Sequence, residues 1–227
     1  MTAAPPIVYL VPSRGRPHNI AELLTAWSAT SAGAADLVIA VDDDDPTLEQ
    51  YRELELPAFA SLYVGPRLRL GGTLNAVAPE LAGRYRAVGF MGDDHRPRSQ
   101  GWDAQLEEDL APAAVIYGDD LVQSAALPTA VLLESTIVRT LGYFVPRGML
   151  HLWLDNYWRV LGERLGTLRY DPRIIIEHVH PITGRAAWDD SYRENNSAVT
   201  WDADEARFRQ YVELELEAAV AEVRAAI

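Results

Sequence analysis

Three apolar runs in this chain end abruptly on carboxylates. Asp36–Val41 runs into Asp42-Asp43-Asp44-Asp45. Ala87–Met91 runs through Gly92 into Asp93-Asp94-His95, and Ala113–Tyr117 runs through Gly118 into Asp119-Asp120. Each run is short and largely apolar, which reads as a buried strand. Carboxylates at the end of a buried strand are costly unless something positive meets them. Asp is common in turns, so one such ending is ordinary. Endings at 42, 93 and 119 together point to one acidic crevice fed by several strands. A hard divalent cation, Mg²⁺ or Mn²⁺, held by one or two carboxylates and by substrate phosphates, would meet that charge.

The chain opens with an apolar run, Ile7–Val11, followed by the loop Pro12-Ser13-Arg14-Gly15-Arg16-Pro17. A helix is predicted from about Asn19 to Ser28, with Asn19 as cap, Glu22 three residues on, and Ile20, Leu23, Leu24 and Trp27 on one face. This strand–loop–helix opening repeats down the chain, so the expectation is an α/β fold with ligands at the carboxyl ends of its strands. Asp42 or Asp43 can accept hydrogen bonds from a base or a ribose. Thr47–Leu54 reads as a short helix and Ser61–Val64 as a third strand. Gly71-Gly72 lacks both the Lys of a P-loop and the G-x-G-x-x-G spacing. Thr73 is expected to cap a helix carrying Leu74, Val77, Ala78 and Leu81, with Arg69 and Asn75 as nearby polar candidates.

Gly101-Trp102-Asp103 leads into a helix with Leu106 and Leu110. Thr129–Leu141 reads as a strand and a helix stopping at Gly142. If Leu150–Trp158 is helical, Trp153, Asn156 and Tyr157 share a face, and Arg159 stands at i+4 from Asp155. Arg173–His180 reads as a strand with His178 and His180 on one face, and imidazole suits Mn²⁺. Residues 184–202 read as a loop that could serve as a lid. Asp204–Ile227 reads as one amphipathic helix with Phe208, Val212, Leu216, Val220, Val223 and Ile227 on a stripe. That stripe closes the core or mediates a homodimer.

The net charge of −13 argues against nucleic acid as a partner, because such a binder needs a basic surface. It leaves room for a small anionic substrate held by a few local Arg. The chain has no Cys, which removes disulfides, zinc-thiolate sites and Cys nucleophiles. It shows no signal peptide and no run of the ~20 apolar residues that a membrane span needs, so the expected location is the cytoplasm.

With these residues in view, the chain from about Ile7 to His180 resembles the family 2-type glycosyltransferases of the GT-A fold, including small members from bacteria and bacterial viruses. Val11-Pro12-Ser13-Arg14 matches the end of the family's first strand, and Val41-Asp42-Asp43 matches its paired acids. Arg69 and Asn75 stand where an Arg and an Asn bracket a nucleotide-facing helix start. Asp93-Asp94 matches the metal motif, reading Gly-Asp-Asp-His rather than Asp-x-Asp. Gly142-Tyr143-Phe144 precedes the segment of the catalytic acid, here Leu154-Asp155 rather than Glu-Asp.

The resemblance implies a single GT-A-like domain over 1–227. It would comprise a nucleotide-binding half (1–125), an acceptor and catalytic half (126–200) and a C-terminal helix (202–227), around a mostly parallel sheet. It implies transfer of a sugar from a nucleotide-diphosphate sugar to a hydroxyl acceptor. Asp155 would take the acceptor's proton, with inversion. Pro12, Ser13, Arg14, Asp42, Asp43, Arg69, Asn75 and Asp93 would hold the nucleotide, with Arg14 or Arg16 assisting. Asp94 with His178 or His180 would hold Mn²⁺ or Mg²⁺. A nucleotidyltransferase would open with a Gly-rich loop, which 12–16 is not. A non-catalytic sugar-nucleotide or glycan-binding module would bind a donor without turnover.

Overall fold

The computed structural model describes residues 6–179 and 197–227. Alternating strands and helices wind into one eight-stranded sheet. The strands are β1 (Ile7–Ser13), β2 (Ala35–Asp42), β3 (Ala60–Gly65), β4 (Ala87–Phe90), β5 (His95–Pro97), β6 (Val115–Asp119), β7 (Val131–Glu134) and β8 (Leu168–His178). Their order is β3-β2-β1-β4-β7-β6-β8-β5. β1, β2, β3 and β4 pair in parallel, as do β6 and β8; β7 and β5 run against their neighbours. The sheet is therefore mostly parallel, and it carries the ends of β1, β2, β4 and β8 toward one cavity.

The alternation within β1 explains why both sheet faces are covered. Ile7, Tyr9 and Val11 belong to one apolar cluster, Val8 and Leu10 to another. The first cluster is closed by α1 (Pro17–Thr30), α2 (Leu48–Arg52) and α4 (Trp102–Glu108). The second is closed by α3 (Arg69–Ala82), α5 (Ser135–Leu141), α6 (Leu154–Leu165), α7 (Ala198–Leu214) and α8 (Leu216–Ala225). Trp27 and Trp102 meet edge to face at 4.7 Å in the first layer. Gly142 ends α5 in a left-handed conformation, φ 72°, as its position in the sequence suggests.

Several boundaries differ from expectation. α1 starts at Pro17, whose fixed φ suits the first helical position, and Asn19 is inside it rather than capping it. α3 starts four residues before Thr73, which is buried in the helix. Leu150–Trp153 is not helical; α6 begins at Leu154. The C-terminal stripe is two helices, broken at Glu215, and α7 begins at Ala198, inside the segment read as loop. Leu216, Val220 and Val223 are buried in the second layer, whereas Ile227 is exposed. The remainder of the expected lid, and His180, lie outside the described residues.

No described helix is long and apolar enough to cross a membrane.

Candidate active site

A cavity of about 430 Å³ opens at the carboxyl ends of the central strands. The end of β1 contributes Pro12, Ser13 and Arg14, and the end of β2 contributes Asp42. Arg69 comes from the start of α3, Asp93 and Asp94 from the turn after β4, Asp155 from the first turn of α6, and His178 from the end of β8. Two expected residues are not in this lining. Asp43 donates its N–H to the Gly65 carbonyl at 2.7 Å. Asn75 accepts the N–H groups of Phe144 and Val145 and donates to the Val145 carbonyl, holding the 144–145 segment against α3. Asp119 is also absent from the lining; it accepts from Leu121 N–H and the Ser124 hydroxyl.

The turn after β4 holds two buried acids whose pKa values are pushed in opposite directions. Asp93 accepts from the Ser13 hydroxyl at 2.6 Å and from Asn19 at 3.3 Å, with Arg16 at 3.4 Å. Burial, reinforced by the Asp94 charge, still raises its pKa. Burial also opposes ionisation of Asp94, but His178 and then His95 outweigh it and hold that carboxyl well below the usual range. A Cβ at Gly92 would stand 2.5 Å from Asp94 Oδ1 and 3.0 Å from His95 Nδ1, so a larger residue there would displace those side chains. Arg96 fastens the turn by donating to the Asp93 and His95 carbonyls and to Glu22.

The two imidazoles meet because β5 and β8 pair antiparallel with His95 opposite His178. Their rings stack at 4.3 Å. Ligand atoms of Asp94, His95 and His178 lie within 4.8 Å of one another, and a carboxylate with imidazole fits Mn²⁺. His95 Nδ1 accepts the Gly92 N–H at 3.1 Å, which engages that lone pair. His178 Nε2 faces Asp94 Oδ2 at 3.4 Å, and His95 Nδ1 faces Asp94 Oδ1 at 3.3 Å. Burial would lower the His178 pKa, but Asp120 and Asp94 outweigh it and raise it to about 9.

Asp120 organises this end of the site. Its Oδ1 accepts the N–H groups of Val122, Gln123 and Ser124, and its Oδ2 accepts from Thr129 at 2.7 Å. Those bonds fix the turn that brings Val122 and Gln123 to the cavity.

Asp155 follows Trp153, which precedes α6 in a left-handed conformation, φ 63°, an uncommon state for a large side chain. Asp155 Oδ1 accepts the N–H and the side-chain amide of Asn156. Burial nonetheless raises its pKa. The expected partner Arg159 instead faces Glu163 and the Ala126 carbonyl.

Sequence reading did not single out Arg67, His95 and His151 as site residues, yet all three line the cavity. His95 was adjacent to the acidic pair, but its partnership with a residue 83 positions later depends on strand register. Burial lowers the His151 pKa to about 4, so this ring is neutral.

No family model matches the sequence, and no curated protein matches it. Solved structures do match its fold. A mannosyltransferase from Pyrobaculum calidifontis, solved with GDP-Man and Mn²⁺, superposes at a TM-score of 0.60 and 11% identity, covering 99% of this chain and 74% of that one. TarS 1–349 of S. aureus gives 0.57 and 11%, over 97% and 87% of the two chains. Glucosyl-3-phosphoglycerate synthase from Mycobacterium tuberculosis, solved with Mn²⁺, UDP and phosphoglyceric acid, gives 0.59 and 12%, over 89% and 78%. At these identities the likeness concerns architecture, and the chain has the GT-A-type fold of nucleotide-diphospho-sugar transferases.

Proposed function

We propose that this chain is a metal-dependent glycosyltransferase, moving a sugar from a nucleotide-diphosphate sugar to a hydroxyl acceptor. The observation that carries the reading is the convergence of Asp93, Asp94, Asp155 and His178 on one cavity that also holds Arg14, Arg16, Arg67 and Arg69. The printed descriptions of two structural neighbours include Mn²⁺ with GDP-Man or UDP, which supports a donor of the same chemical class.

In this reading Asp42 and Arg69 serve the base and ribose, with Pro12, Ser13 and Arg14 at the nucleotide; Asp43, exposed and outside the lining, takes no part. Asn75 has a bracing role instead, tying the 144–145 backbone to α3. Asp93 serves the ribose or the cation. Asp94 and His178 hold the cation, with His180 as a further candidate outside the described residues; the mixed oxygen and nitrogen donors favour Mn²⁺ over Mg²⁺. A bound divalent ion supplies positive charge to offset the charge that grows on the departing diphosphate. Arg14 and Arg16 are placed to add to that field, since guanidinium donors match phosphate oxygens.

Asp155 accepts the proton of the acceptor hydroxyl as it attacks the anomeric carbon, and inversion follows if that attack is direct. Its raised pKa makes the ionised carboxylate a stronger base than an ordinary surface Asp. A pure binding module has no need of such a group.

The test is a panel of nucleotide sugars with Mn²⁺, read by thermal shift and by release of nucleoside diphosphate. Asp94→Ala should abolish the Mn²⁺-dependent shift. Asp155→Asn should keep donor binding and reduce transfer by roughly 10²- to 10⁴-fold. Unaltered transfer in both variants would sink the assignment.

A further inference from the structure

Asp93 is held by a relay of hydroxyls that starts outside the cavity. Tyr51, on α2, is fully buried and is absent from the cavity lining, whereas Ser13 and Asp93 belong to that lining. The Tyr51 hydroxyl lies 2.7 Å from the Ser13 hydroxyl, which donates to Asp93 Oδ2 at 2.6 Å. The Arg16 N–H donates to the same Tyr51 oxygen at 2.8 Å. Three separate elements are joined in this way: the loop after β1, α2 and the turn after β4.

Both ends fix the direction of the relay. A backbone N–H can only donate, so the Tyr51 oxygen accepts from Arg16. The single Ser13 proton is spent on Asp93, so the proton between the two hydroxyls comes from Tyr51. The order is Arg16 N–H, Tyr51, Ser13, Asp93, and each bond polarises the next. The two oxygens of Asp93 are thereby made unequal. Oδ2 takes the short bond from Ser13, while Oδ1 faces Asn19 at 3.3 Å and Arg16 at 3.4 Å, both long for a hydrogen bond. A carboxylate oxygen has two lone pairs, and Oδ1 is the one with capacity for a closer donor.

We infer that Tyr51 is a positioning residue, which through the Ser13 hydroxyl pins Oδ2 of Asp93 and so presents Oδ1 to the donor. Without the Tyr51 hydroxyl, the Ser13 hydroxyl loses the partner that aims it, and the Asp93 carboxyl loses its orientation in turn. Partners one step removed from a ligand-binding group act in this manner, by limiting the group to one geometry. The inference rests on the glycosyltransferase reading, in which Asp93 serves the donor, and adds to it a residue outside the cavity lining.

The experiment uses the full chain with Mn²⁺ and the nucleotide sugar that the thermal-shift panel selects, with donor Kd read by calorimetry. Tyr51→Phe keeps the ring, removes the hydroxyl and should raise the donor Kd about tenfold. Tyr85→Phe removes a hydroxyl that is bonded to Asp36 away from the cavity, and should leave the donor Kd unchanged. An equal rise in both variants would show a general loss of stability and overturn the inference. Tyr51→Phe combined with Ser13→Ala should cost little more than Ser13→Ala alone, because both cut one relay. Additive losses would mean that Tyr51 acts by a route other than Ser13, and would overturn it too. If Tyr51→Phe does not fold, Ser13→Thr, which keeps the hydroxyl, is compared with Ser13→Ala. Thr should retain donor affinity and Ala lose it; equal Kd values in the two would overturn the inference. Mn²⁺-dependent donor binding that a folded Tyr51→Phe leaves unchanged would overturn it while sparing the glycosyltransferase reading. Absence of that binding in the wild type would remove both.

Discussion

Asp155 is asked to be ionised and to be buried, and the two requirements pull in opposite directions. Burial raises its pKa from 3.8 despite the two donors of Asn156. Transfer should therefore rise with pH along a limb above the ordinary Asp range, measured as kcat/KM with saturating Mn²⁺. A limb at or below that range would contradict the role. The same shift fixes a stability effect. Between 3.8 and the raised value the folded chain binds more protons at this site than the unfolded chain, so this contribution to stability falls as pH rises. Asp155→Asn keeps an Oδ1 acceptor for Asn156 and should raise the melting midpoint at neutral pH while it slows transfer. An acid within an aromatic run drew notice, but the run left a capped and a functional reading open, and it was the family resemblance that singled the residue out as the base. Its partner was not legible: i+4 spacing pointed to Arg159, but an acid in the first turn of a helix is nearer to N–H groups than to the next turn. His95 was hidden for another reason, since nothing local reports which residue of β8 stands opposite it.

At the level of elements, α7 does more than close the core. Asp204 is fully buried, and its carboxylate accepts the N–H groups of Leu150, His151 and Leu152 at 2.7–2.8 Å. This bond set shapes the non-helical segment that delivers His151, Leu152 and Trp153 to the cavity. Asp204→Ala would leave three backbone donors without their buried acceptor and should lower unfolding free energy by roughly 2–4 kcal/mol, read by denaturant titration. Amide exchange at 150–152 should accelerate in the same variant; unchanged protection there would refute the clamp. Periodicity found the apolar stripe of α7 and α8 but read it as one helix, because a single break at Glu215 scarcely alters a 3.6-residue pattern. Burial of Leu216, Val220 and Val223 assigns the stripe to the core of this chain. The start of α7 at Ala198 was missed, although Ser197 accepts from Thr200 N–H as a capping residue does.

For the molecule as a whole, the alternation of strands and helices made the α/β class legible, and two of the three acid-ended strands, β2 and β4, marked the edge where the cavity opens, whereas Asp119 at the end of β6 is outside its lining. The strand order was not legible, because the insertion of antiparallel β7 between β4 and β6 depends on contacts distant in sequence. A consequence of the irregular join between β6 and β8 follows. Gly118 stands opposite Asp171, while Asp119 stands opposite Ile175, so three residues, 172–174, are looped out between consecutive rungs. Because side chains alternate along a strand, an odd excursion exchanges the two faces for everything beyond it. Deleting one of those residues should leave most of the sheet paired but turn His178 outward, abolishing Mn²⁺ uptake by calorimetry. Retained uptake would show that the later pairing with β5 resets the phase. The length of that small loop acts as a vernier, and the His178 ring meets the Asp94 carboxylate only at one setting.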